Sequence, residues 1–192
     1  MAIPVSELQK INPSSLIELF TLTLNTKLHG NSDGYRFHNG SSPNANGEVV
    51  WAGQSYLRYP ISCTGFSQEG NSTLPRPRLI ISNMLGLFTA LMLDTNKVTP
   101  GVDLNGATLT RIRTLARYLD AANSSNGVNP YGTPSPSTEL PRQVFYLDRK
   151  VTETREIVEW ECASAFDLAF GPKVPKRLIT RTDFPGVGTF VA

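Results

Sequence analysis

The chain has 192 residues, of which 40% are hydrophobic and 18% charged, the composition of one folded domain with at most a tail. Its formal net charge of +2 excludes the strongly basic class that binds nucleic acid without sequence preference, unless a local basic stripe is present. A chain of this length buries roughly 70% of its unfolded surface, so it needs neither a disulfide nor a metal to hold its core.

Two cysteines, Cys63 and Cys162, stand far apart with no C-x-x-C partner, and no zinc or cluster site is expected from them. The opening MAIPVSELQK lacks an apolar signal core, so both thiols are expected reduced. The Asn-x-Ser/Thr triplets at Asn39, Asn71 and Asn123 then read as turn composition rather than glycan sites. The apolar run from Met84 to Leu93 is far shorter than the roughly 20 residues that span a bilayer, so no membrane partner is expected.

In chain order, Val5 to Asn12 is predicted as a short amphipathic helix capped by Ser6 and stopped by Pro13. Leu16 to Leu28 alternates Leu with Thr and predicts a long strand. Gly-rich reversals over 29–34 and 41–47 flank a short strand from Tyr35 to His38. Glu48 to Ala52 and Tyr56 to Cys63 predict two more, and Pro60, lacking an amide donor, puts the second at an edge or bulge. RLIIS (Arg78 to Ser82) predicts a buried strand. Asn83 is then expected to cap a helix from Met84 to Leu93 with Leu85, Phe88 and Met92 on one face.

Ala107 to Asp120 carries both helical and alternating spacing. A strand is preferred, because Arg111, Arg113 and Arg117 then share a face. Asn123 to Pro141 reads as a surface loop. Gln143 to Thr152 and Arg155 to Ala163 predict a hairpin whose second strand alternates Val158, Trp160 and Cys162 with Glu159 and Glu161, giving one buried and one acidic face. Val174 to Thr182 predicts a last short strand. The expected fold is α+β and β-rich: an antiparallel sheet or distorted β-barrel of about eight strands with one or two helices packed on one side. The expected domains are 1–165, a β-rich body, and 166–192, a C-terminal strand and flexible tail.

No catalytic, cofactor-binding or metal residue is assigned. His29 and His38 with Asp33 lack a third rigidly held ligand, and the two histidines read as exposed hairpin residues. Cys63 sits in no nucleophile signature and reads as a small core residue. Gly186 and Gly188 form only a lone G-x-G in the tail, and no phosphate-binding glycine motif is present. Glu159/Glu161 and Glu153/Glu156 have the spacing of a solvated sheet edge rather than of a glycosidase pair. The Arg111, Arg113, Arg117 stripe lacks stacking aromatics, so pairing with the Glu159/Glu161 face is preferred to phosphate binding.

The order of several short motifs resembles the minor tail protein L family of lambda-like phages. They are Phe37-His38-Asn39-Gly40, the Val49 to Tyr56 strand with Trp51, Tyr59-Pro60-Ile61, and Gly65-Phe66. Arg76-Pro77, Ile81-Ser82-Asn83, Arg117 to Ala121, Asn129-Pro130, Lys150-Val151 and the Val158 to Ala163 strand continue it, from roughly residue 5 to 180. The resemblance implies a non-enzymatic structural subunit of the tail tip, in the baseplate hub of the virion, assembled in the host cytoplasm. Implied partners are its own copies in a ring, expected to be a trimer around the DNA-exit channel, with the distal tail ring protein, the central hub or fibre protein and the tape measure. No sequence-specific nucleic acid is implied.

The family's cysteine-rich C-terminal segment, which holds an iron–sulfur cluster, has no counterpart at Thr182-Asp183-Phe184, so no cofactor is expected here. Two alternatives are a carbohydrate- or receptor-binding β-domain that stacks ligands on Trp51, Tyr56 and Tyr59, and a small cell-wall hydrolase.

Overall fold

A computed structural model describes residues 2–42, 44, 46–67, 74–167, 181–182 and 185–186. The strands are β1 (Leu16–Thr23), β2 (Gly34–His38), β3 (Val49–Trp51), β4 (Gln54–Arg58), β5 (Ile61–Thr64), β6 (Arg78–Ser82), β7 (Thr108–Leu115), β8 (Gln143–Glu153) and β9 (Ile157–Ala163). The helices are α1 (Val5–Leu8), α2 (Thr26–His29) and α3 (Leu87–Val98), with 3-10 turns at Ala116–Tyr118 and Ala121–Asn123. The nine strands form one sheet in the order β3-β4-β2-β1-β7-β8-β9-β6-β5. All ladders but one are antiparallel; β2 and β4 run parallel, so the sheet is mixed, and it is not a closed barrel.

The extra strand arises at Pro60. The stretch expected as one strand from Tyr56 to Cys63 is divided there, because proline cannot continue the ladder as a donor. On one side Tyr59 N–H donates to the His38 carbonyl at 2.9 Å; on the other Ser82 N–H donates to the Pro60 carbonyl at 3.0 Å. Only two residues therefore join a strand near one end of the sheet to the strand at the other end, and the sheet has to curl.

The concave side of that curl holds the main core. Residues Phe20 and Leu22 of β1 pair with Arg111 and Leu109 of β7, and Phe20, Leu22 and Leu109 join this cluster. Helix α3 contributes Phe88 and Met92. The Phe88 ring lies 5.8 Å from those of Phe37 and Tyr59 and 6.2 Å from Trp160, contacts each worth about 0.5–1.5 kcal/mol beyond area burial. The alternate residues of the same strands, Leu19 and Ile112, face the opposite side, where Val49, Trp51 and Tyr56 of the β3–β4 hairpin cover them. The β1–β7 pair is thus buried on both faces, as its apolar density requires.

Several element boundaries differ from expectation. Strand β1 stops at Thr23 because Asn25 accepts the Lys27 amide at 3.0 Å and caps α2, which Gly30 closes at φ +80°. Helix α1 ends at Leu8 and carries no side-chain cap, so Ser6 does not serve as one. Asn83 does not open α3: Gly86 does, at φ +65°, which leaves Leu85 outside the helix and exposed. Asn83 instead is buried and joins Thr89 of α3 to the Thr154 carbonyl of the β8–β9 turn. The strand expected over 174–182 lies outside the described residues up to position 180.

Strand β3 is an edge, and its exposed ladder is covered by a side chain. Asn123 accepts the Val50 amide and donates to the Val50 carbonyl, both at 2.7 Å, as a neighbouring strand would. Asn123→Ala is expected to destabilise the domain by about 1–2 kcal/mol, because the Val50 pair and the loop both lose partners. Urea unfolding of the variant measures this, with Asn123→Asp expected to fall between the two.

Candidate functional site

The residues singled out for chemistry do not converge. His29 and His38 are buried, contrary to the expected exposed hairpin. The His29 Nδ1 accepts the Asn25 amide at 2.8 Å, so its Nε2 carries the proton and donates to the Asn105 carbonyl at 3.2 Å. His38 Nε2 donates to the Gly47 carbonyl at 2.9 Å and closes the long loop after β2. Burial depresses both imidazole pKa values and outweighs these hydrogen bonds. Asp33 is exposed and held by Asn31. Among the described residues no group of three or more His, Cys, Asp or Glu is placed to hold a metal.

Cys63 and Cys162 are free thiols. Burial pushes Cys63 up to about 12 and raises Cys162 as well, the reverse of an activated nucleophile or a thiolate ligand. Trp51 and Tyr56 are core residues at 1% and 4% exposure, and the half-buried Tyr59 donates its hydroxyl to the Ser82 carbonyl at 3.0 Å. No stacking platform forms from these three.

The charge pairing also differs from expectation. Strand β9 lies inside the sheet between β8 and β6 rather than at an edge. Its Glu161 is buried and bound by Arg76 at 2.9 Å and Arg149 at 2.7 Å, and those guanidinium partners hold its pKa below the usual carboxylate value. Arg76 also binds Asp148 and Asp167, and Glu159 pairs with Arg78 at 3.2 Å. The acidic face is therefore satisfied by arginines near β6 and β8, not by the β7 stripe.

That stripe is itself broken. Arg111 and Arg113 share a face of β7, whereas Arg117 lies in the following 3-10 turn and binds the buried Glu7 of α1. Arg111 binds Glu18 of β1, donates to Gln143 Oε1 at 2.8 Å and stacks over Phe66 at 4.0 Å. The guanidinium of Arg113, directly across the ladder from Glu18, finds no hydrogen-bond acceptor among the described residues. Reading the sequence missed the clamping roles of Asn123, Asn129, Glu7 and Arg76. Asn129 caps three carbonyls of the 116–119 turn, a role that the Asn129-Pro130 pair in a turn-rich loop does not disclose.

Among the described residues a cleft of about 880 Å³ lies between the start of β1, the 39–42 loop and β5. Leu16, Glu18, Phe20, Ile61 and Cys63 line it, and its ionisable groups are Glu18, Cys63 and Tyr131. No acid–base pair or nucleophile–base pair is assembled from those three. What the cleft offers is apolar surface, strand edge and a nearby guanidinium pair.

The family model of phage minor tail protein L matches residues 27–185. The chain belongs to the phage minor tail protein L family. It is also 37% identical over 102 residues to tail tip protein L of Escherichia phage lambda. That match covers 53% of this chain and 41% of the lambda protein, so the chain corresponds to less than half of that relative's length.

In this family member the two histidines give a pH signature. Their folded pKa values lie below the unfolded value near 6.5, so their contribution is complete above that pH and is lost as pH falls through it. Glu7, Asp103 and Glu161, also depressed, lose theirs only below the ordinary carboxylate values of about 4. The melting temperature is expected to decline in two stages on acidification, the first setting in as pH falls below about 6.5. His29→Gln with His38→Gln should lower it at neutral pH but flatten that first stage.

Proposed function

We propose that the chain is a structural subunit of the phage tail tip, a baseplate-hub component that works by binding and assembly rather than by catalysis. The match of the family model to residues 27–185 carries this reading. In it, copies of the chain form a ring, a trimer around the DNA-exit channel, and join the tail tube and distal ring to the central hub or fibre protein. The tape measure is a further neighbour, the tail tip of the virion is the place of action, and the host cytoplasm is where it assembles.

Two features of the surface support an assembly role. Met84 and Leu85 project from the turn before α3 at 78% and 84% exposure, with Leu87 and Leu93 exposed beside them in sequence. Ile3, Val5, Leu8 and Ile11 form a second exposed apolar series around α1. Apolar side chains gathered in this way mark contact surfaces more often than free ones.

The reading includes no iron–sulfur cluster held by these 192 residues. Their two cysteines are fewer than the four thiolates a cluster takes, and both sit where burial favours the protonated thiol. The domain division at residues 165 and 166 is retained as part of the same proposal.

The test is the mass and composition of the assembled form. The chain is expected to co-assemble with tail-tube or hub proteins as a symmetric ring without iron; a persistent monomer that enters no tail overturns the reading. Met84→Asp with Leu85→Asp should change unfolding free energy by no more than about 0.5 kcal/mol each. Entry into tails should fall by about tenfold, the effect of losing an interface anchor.

A further inference from the structure

The two ends of the sheet are treated differently. Edge strand β3 has its ladder covered by Asn123. Edge strand β5 pairs only with β6, and nothing described covers its other side.

Ladder alternation fixes which main-chain groups lie open. Tyr59 N–H points to β2, where it meets the His38 carbonyl. Ile61 and Cys63 share its parity, so their N–H and C=O groups point the same way, away from β6. On β1, Leu24 N–H bonds to the Asp33 carbonyl, and Ser15 carbonyl accepts from Ala116 N–H. Even residues of β1 therefore address β2 and odd residues address β7. The β1–β2 ladder stops at Phe20, which leaves the main-chain groups of Leu16 and Glu18 without a ladder partner among the described residues.

These two open rows border the same cleft, since Leu16, Glu18, Ile61 and Cys63 all line it. Strand β2 runs between β1 and β4 as far as His38 and then turns away into the 39–42 loop, which closes one end of the cleft. Among the described residues the cleft is thus an unfilled continuation of the β2 track. An extended main chain is the ligand that offers donors and acceptors along both of its edges at strand spacing. Beside the slot, Arg111 and Arg113 face the single carboxylate of Glu18, and the Arg113 guanidinium has no acceptor. The local excess of one positive charge selects an acidic side chain on the incoming segment.

We infer that the cleft between β1 and β5 takes an extended segment of a neighbouring tail protein, bearing an acidic side chain, as an inserted strand of about four residues. Placing the donor in the tail rests on the assembly role proposed above; the two open edges do not depend on it.

Amide hydrogen exchange at Leu16, Glu18, Ile61 and Cys63, in the isolated chain and in assembled tails, tests the inference. These amides should exchange as open edges in isolation and slow by about tenfold or more in tails, the protection that a single hydrogen bond confers. Amides that still exchange freely in tails containing the chain overturn the inserted strand alone. A chain absent from tails overturns the assembly role and, with it, a tail protein as donor. Protection already complete in isolation shows that the chain's own residues fill the slot, and protection that grows with concentration shows a second copy; each overturns the proposal. Arg113→Gln should reduce uptake about tenfold without lowering the melting temperature, since a half-buried charge without an acceptor is removed. Unchanged uptake overturns the acidic donor.

Discussion

The fold depends on one covalent constraint: the stretch from Gln54 to Thr64 serves two distant positions in the sheet. Its first half lies between β3 and β2, its second half alongside β6, and Tyr59-Pro60 joins them. A two-residue link between strands near opposite ends of a nine-strand order forces curvature that ladder hydrogen bonding alone does not supply. The curvature brings Phe37, Tyr59 and Trp160 within reach of Phe88, so α3 packs into a concave surface instead of lying on a flat one. Proline at the link fits because the missing donor falls where the chain changes neighbours.

Polar side chains then do what strands and helices leave undone. Asn123 substitutes for a strand beside Val50, Asn83 links α3 to the β8–β9 turn, and Asn129 takes up the carbonyls of the 116–119 turn. His38 does the same for the loop that ends at Gly47. Each is a buried polar group whose partners are main-chain atoms, the arrangement that makes burial tolerable. The arginine–carboxylate pairs act over longer range. Arg76 draws β8, β9 and the residues after β9 together through Asp148, Glu161 and Asp167, while Arg117 holds α1 against the turn after β7 through Glu7.

What was legible in the sequence follows from which forces are local. The strands β1, β6, β7, β8 and β9 are legible from their β-favouring, apolar-rich runs, although burial follows a strict period of two in β6 and not in β1, β7 or β9. The preference for a strand at 108–115 holds, since Leu109 and Ile112 are buried on opposite faces and Arg111 lies between them. The family was legible from the order of its short motifs, although each is weak alone. Charge pairing was not legible. The Arg111 and Glu161 positions have opposite charges and strands of the right type, yet they sit two strands apart, and nearer partners at Glu18, Arg76 and Arg149 take precedence. The burial of His29 was hidden for the same reason, since Asn105 lies 76 residues away, and that of His38 because its partner Gly47 is reached across an irregular loop with no periodic signal. Trp51 and Tyr56 looked available because a short hairpin between glycine-rich loops gives no sign that its inner face covers a second core on the far side of β1 and β7.

The cleft shows the same division between local and non-local information at the level of function. Nothing in Leu16, Glu18, Ile61 or Cys63 marks a binding site, and no titratable constellation forms around them. Their significance comes from topology: β2 ends early on one side, Pro60 redirects the neighbouring strand on the other, and the main-chain groups between are left facing each other. A monomer built only for its own stability would cover such an edge, as this one covers β3 with Asn123. A subunit that must join others in a fixed register gains from leaving one edge open within walls. In the inference drawn from the cleft, two facing rows would specify an extended partner more narrowly than a single exposed strand does.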